Sequence, residues 1–129
     1  MQLFSHHAHN LVSRAVFFQD HDFFGEQYPV YEADYDSIIE RIVGMQGEGQ
    51  LSLTPLLQAV SAKLINAPSI GVKENKIFFQ YLLQQEQELC KIVEDLCKIP
   101  GTSQGVIQTL GTICEKSEVR QYKIKQRIK

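Results

Sequence analysis

What this chain lacks narrows its chemistry before any motif is considered. It has only three cysteines, Cys90, Cys97 and Cys114, an odd number at helical spacings with no C-x-x-C pair. That pattern offers neither a disulfide framework nor a zinc knuckle, and buried reduced thiols are the ordinary expectation. No apolar run approaches the roughly 18 residues of a membrane span, and no charged-then-apolar leader opens the chain. An excess of one charge is missing too: the formal net charge is -2 and the pI near 6.1. This argues against a nucleic-acid binder that uses its whole surface, while leaving room for a local basic segment. Glycine-rich phosphate loops and a G-x-S-x-G elbow are absent. All four histidines precede residue 22, which removes the paired E-x-x-H motifs of intrachain di-iron carboxylate bundles. A cytoplasmic protein is the simplest expectation, with no membrane partner.

What is present is helical periodicity. The 129 residues suit one domain, 1–129, and 43% hydrophobic with 22% charged residues is ordinary for a globular chain. Residues 2–18 repeat apolar positions at threes and fours through Leu3, Phe4, Leu11, Ala15 and Phe18. From Gly25 to Met45, Tyr28, Tyr31, Tyr35, Ile38, Ile42 and Met45 step by 3, 4, 3, 4 and 3, which predicts a packed seam. Pro29 falls inside it and predicts a kink or a fresh start. Gly44, Gly47 and Gly49 end the helix. Residues 50–73 form a connection with a short helix at 52–62, Pro55 lying in its first turn.

A third helix spans 74–98, with Phe78, Tyr81, Leu82, Leu89, Ile92, Val93 and Leu96 on one face. Ile99-Pro100-Gly101 stops it, and a fourth starts at Thr102 or Ser103. The expected fold is all-α, a ferritin-like four-helix bundle whose long crossover, carrying the short helix, separates the second and third helices.

Four side chains stand out as metal ligands: His9, His21, Asp36 and Glu40. Asp36 and Glu40 are four apart, so a helix projects both from one face about 6 Å apart at Cβ. His9 and His21 are twelve apart, roughly 18 Å on one straight helix and too far for one ion. Either the chain turns between them or another subunit supplies part of the site.

The order His9, Phe17, Phe18, His21, Tyr28 and then Asp36-Ser37-Ile38-Ile39-Glu40-Arg41-Ile42 resembles the signature of the DNA-binding proteins from starved cells, the Dps branch of the ferritin-like superfamily. The resemblance implies a ferroxidase centre between two subunits, with His9 and His21 from one chain and Asp36 and Glu40 from its two-fold mate. It also implies a homo-oligomer, a hollow dodecamer that oxidises Fe(II), usually with hydrogen peroxide, and stores the ferric iron inside. Imidazoles and carboxylates suit that metal.

Family members usually carry an acidic ligand one turn after the second histidine, where this chain has Gly25, with Glu26 beside it as a substitute; a second, weaker site is then expected, bridged by Glu40 and completed by water or Glu26. Asn10 replaces a frequent Trp, and the first helix is shorter than usual. His6 and His7 read as a solvated cluster. The rival readings are a ferritin-like scaffold without efficient oxidation, and DNA binding through the basic end formed by Lys116, Arg120, Lys123, Lys125, Arg127 and Lys129.

Overall fold

The computed structural model describes residues 1–47, 52–69 and 71–129. It is all-helical, with no strand among the described residues. The described residues form five helices in order: α1 Gln2–Leu11, α2 Phe17–Gln46, α3 Leu53–Leu64, α4 Lys76–Cys97 and α5 Gln104–Ile128. They fall into two compact units, Met1–Lys73 and Glu74–Lys129. Among the described residues, no helix is long and apolar enough to cross a membrane.

In the first unit, the helix expected over 2–18 stops early. Val12 is extended at the end of α1, and Arg14 follows with a φ of 74°. A positive φ is unfavourable for a side-chain-bearing residue, so the chain here leaves the helical path and turns. It returns antiparallel: Phe4 meets Phe24 edge-on at 6.4 Å, His6 stacks on Tyr28 and His9 on His21. Phe4, Ala8, Val12 and Phe24 are buried along this contact. His21 therefore sits on α2 and not on the helix that carries His9.

Helix α2 runs unbroken through Pro29, so no fresh start occurs there. Pro29 has no N–H to give the carbonyl of Gly25. Its buried stripe is Asp20, Phe24, Gln27, Tyr31 and Asp34, stepping by 4, 3, 4 and 3. This corrects the seam expected from the sequence. Tyr31 belongs to the stripe, but Tyr35 and Met45 are 45% and 60% exposed, and Asp20, Gln27 and Asp34 take alternate buried places. Gly47, with φ 81°, ends the helix as its sequence predicts, whereas Gly49 lies outside the described residues. Helix α3 occupies the predicted place in the connection, two residues longer at its end, and none of its residues is buried.

The second unit is an antiparallel pair, α4 and α5, turned at Gly101 (φ 87°). Ser103 caps α5, its hydroxyl accepting from the Val106 amide at 3.3 Å. Phe78, Phe79, Leu82 and Val93 of α4 are buried, with Ile113 and Ile124 of α5. Ile92 and Leu96, expected on the inner face, are 47% and 41% exposed. Glu86 takes a fully buried place in that face instead.

Candidate metal centre

The turn after Leu11 brings two of the four expected ligands together. The rings of His9 and His21 stack with centroids 3.6 Å apart and planes 27° apart. Each Nδ1 lies 2.8 Å from the backbone carbonyl oxygen of the other histidine. A carbonyl oxygen only accepts, so each ring donates from Nδ1, the arrangement that in a neutral imidazole leaves the lone pair on Nε2. This is how metal-binding histidines are held elsewhere: one nitrogen donates to an oxygen and fixes the tautomer, the other is left for the ion. The Phe17 ring lies 4.9 Å from that of His21, tilted by 31°, and Tyr28 stands edge-on to His9 at 6.0 Å. His6, expected to be solvated, is an exposed residue but stacks on Tyr28 at 4.5 Å.

Gly25 has a spatial reason. A Cβ built there would lie 3.0 Å from both Cε1 and Nδ1 of His9. The room that an acidic side chain would take is filled by the histidine ring. Glu26 does not replace it within one chain, because five helical residues carry it about 140° round from His21. Its side chain is exposed.

Asp36 and Glu40 are not brought to the histidines. Both are exposed on the later half of α2. Fifteen and nineteen residues separate them from His21 on one continuous helix, about 22 and 28 Å along its axis. Among the described residues, no three His, Cys, Asp or Glu side chains converge on a common point. One chain thus supplies a preset pair of imidazoles and, separately, an exposed pair of carboxylates.

A second polar constellation, in α4 and α5, escaped the sequence reading. Glu86 is fully buried and accepts from Arg120 twice, Nε to Oε1 at 2.6 Å and Nη2 to Oε2 at 3.2 Å. The Ser117 hydroxyl is 2.5 Å from Oε2 of the same carboxylate. Arg120 is therefore a core residue and not part of a solvated basic tail. Arg127 also departs from that expectation, its guanidinium lying 5.3 Å from the centroid of the Phe79 ring. Lys123, Lys125 and Lys129 remain exposed. The signal for Glu86 was its place four residues after Leu82 and seven before Val93, in register with the apolar face. All three cysteines are free and half-buried.

No protein-family model matches the chain, and neither a curated protein nor a solved structure matches it.

Proposed function

We propose that this chain is a ferritin-like subunit of the Dps type, which binds Fe(II) as substrate between two copies and oxidises it, with hydrogen peroxide as the oxidant. The observation that carries this reading is the His9–His21 pair, whose mutual Nδ1 hydrogen bonds leave two oriented Nε2 lone pairs. Two imidazoles alone hold Fe(II) weakly, and carboxylates are needed to stabilise Fe(III) after electron loss. Asp36 and Glu40 have the right chemistry and spacing, and because their distance along α2 keeps them from the histidines of their own chain, this reading has them serve those of another copy. Exposure of both carboxylates within the single chain is what such sharing requires. The iron oxidised there would be stored as ferric product in the interior of the oligomer.

Complementation between two inactive variants tests the shared site. His9→Ala and Asp36→Asn should each abolish rapid Fe(II) oxidation after a peroxide pulse. Co-assembled in equal amounts from unfolded chains, they should regain roughly a quarter of the wild-type sites, since each site then draws its two halves from different copies. No recovery in a mixed particle would sink the two-chain site. Wild-type protein that assembles but oxidises Fe(II) no faster than buffer would move the function to a ferritin-like scaffold.

A further inference from the structure

The second unit holds a pair of thiols that the proposed iron chemistry does not use. Cys90 on α4 lies 3.8 Å through Sγ from the carbonyl oxygen of Cys114 on α5, so the two cysteines face each other across the hairpin. Around Cys90 the setting is polar: its Sγ is 3.3 Å from the Ser117 hydroxyl, and the Gln121 amide donates to it at 3.4 Å. Both cysteines are half-buried, so each residue keeps some surface in contact with solvent.

We propose that Cys90 and Cys114 are a peroxide-oxidised dithiol, converted to an intrachain disulfide that ties α4 to α5. A disulfide requires two cysteines on facing elements, and Sγ of Cys90 reaches the backbone of Cys114 across the hairpin. Cys90 is the attacking group, because its thiol has the Ser117 hydroxyl within reach to accept its proton. Its sulfur attacks one oxygen of a hydroperoxide, the O–O bond breaks, and a sulfenic acid and one water form from hydrogen peroxide. The sulfur of Cys114 then attacks the sulfenic sulfur, loses its proton, and the S–O bond breaks to release a second water. The sum is two thiols and one hydrogen peroxide giving one disulfide and two waters: each sulfur loses one electron and the peroxide gains two.

Oxidation also rearranges the neighbouring core contacts. Cys90 loses the proton it can offer to Ser117, whose hydroxyl is shared with the buried Glu86 carboxylate. The cross-link closes a 24-residue separation through the α4–α5 turn and so holds the two helices that position Glu86 and Arg120. Cys97 lies seven residues beyond Cys90, about 10 Å further along α4, and stays out of the bond.

The test is differential alkylation of the folded protein before and after hydrogen peroxide, read by intact mass and peptide mapping. The expected result is a fall from three alkylatable thiols to one per chain, a chain mass lower by two hydrogens, and a linked pair of peptides containing Cys90 and Cys114. On a non-reducing gel the chain stays monomeric, and reductant restores all three thiols. Cys97→Ser should leave the linkage intact. Three thiols persisting in folded protein under peroxide that oxidises the denatured chain, or a linkage that maps to Cys97 or joins two chains, would overturn the proposal.

Discussion

At the scale of single residues, the position that most constrains the candidate centre is Gly25, because it decides where the His9 ring can lie. Alanine in an exposed helix interior gains roughly 1 kcal/mol over glycine. At residue 25 that gain meets a ring only 3.0 Å away, and overpacking costs about 1–3 kcal/mol. Gly25→Ala is therefore expected to leave thermal stability unchanged or lower and, under the proposed reading, to weaken Fe(II) binding by displacing His9. Gly111→Ala, where nothing lies within 4 Å of the added Cβ, should instead raise stability by roughly 1 kcal/mol. Paired melting curves and iron titrations check both. A Gly25→Ala protein melting higher by as much as Gly111→Ala would mean that His9 does not occupy that space.

Cys114 gives the second prediction at this scale. Burial first, then the hydrogen bond and charge of Cys90, then Glu118 on its own helix and Glu94 on α4, push its thiol up to about 12. The folded pKa is raised, so the unfolded chain loses this proton first as the pH rises. Stability from this group is complete below the ordinary thiol range near 9 and declines between about 9 and 12. Denaturant midpoints measured from pH 8 to 10 should fall less in Cys114→Ser than in wild type. Equal slopes would show that the thiol is not held protonated by the fold.

Among the helices, α4 and α5 depend on one buried ion pair. Removing one partner leaves the other charge uncompensated, so Arg120→Ala should cost about 3–5 kcal/mol, whereas replacing both Glu86 and Arg120 with apolar residues of similar volume should recover much of it. A double-mutant cycle by chemical denaturation measures this. Near-additive losses would reduce the pair to a peripheral contact. The cap at the start of α5 is a smaller effect: Ser103→Ala should cost about 1 kcal/mol.

Helix periodicity, caps and stops were legible in the sequence because they are local: Gly47, Gly101 and Ser103 act through their own φ angles and hydroxyls. The phase of α2 was not. Its tyrosines and isoleucines form an apolar stripe as regular as the buried one, and only packing chose the stripe that holds Asp20, Gln27 and Asp34. The break at Val12–Val16 was hidden for the same reason, since no Gly or Pro marks it and the turn is made by Arg14 at positive φ.

On the scale of the whole molecule, the single chain leaves much apolar surface in water. Tyr35, Val43 and Met45 of α2 are exposed, as are Leu53, Leu56, Leu57 and Val60 at helical spacing on α3. A row of exposed apolar residues at helical spacing, as on α3, is the pattern of an interaction face. Under the proposed reading its occupant is another copy, and light scattering should report a particle of many chains. Leu56→Glu together with Val60→Glu should reduce that particle in mass and abolish rapid iron oxidation, while folded monomer remains by circular dichroism. A wild-type protein that is monomeric at micromolar concentration would remove the shared site altogether. At the C-terminal end of α5, Lys123, Lys125 and Lys129 are exposed and free to meet DNA, whereas Arg120 and Ile124 are core residues whose deletion would disturb the fold. Replacing the three lysines with glutamine should instead remove salt-sensitive DNA retention and spare the fold.

By itself, the sequence determined that the chain is helical, where most helices begin and end, and which residue types are able to ligate iron, because those follow from periodicity, caps and side-chain chemistry. Tertiary structure alone decided three other things. It folded α1 back onto α2 so that residues twelve apart face each other, a result of one turn rather than of spacing. It moved Arg120 from a basic tail to a buried carboxylate, because α4 presents Glu86 where water cannot reach. It also left Asp36 and Glu40 far from the histidines of their own chain, because a continuous helix fixes the distance between residues that lie on it.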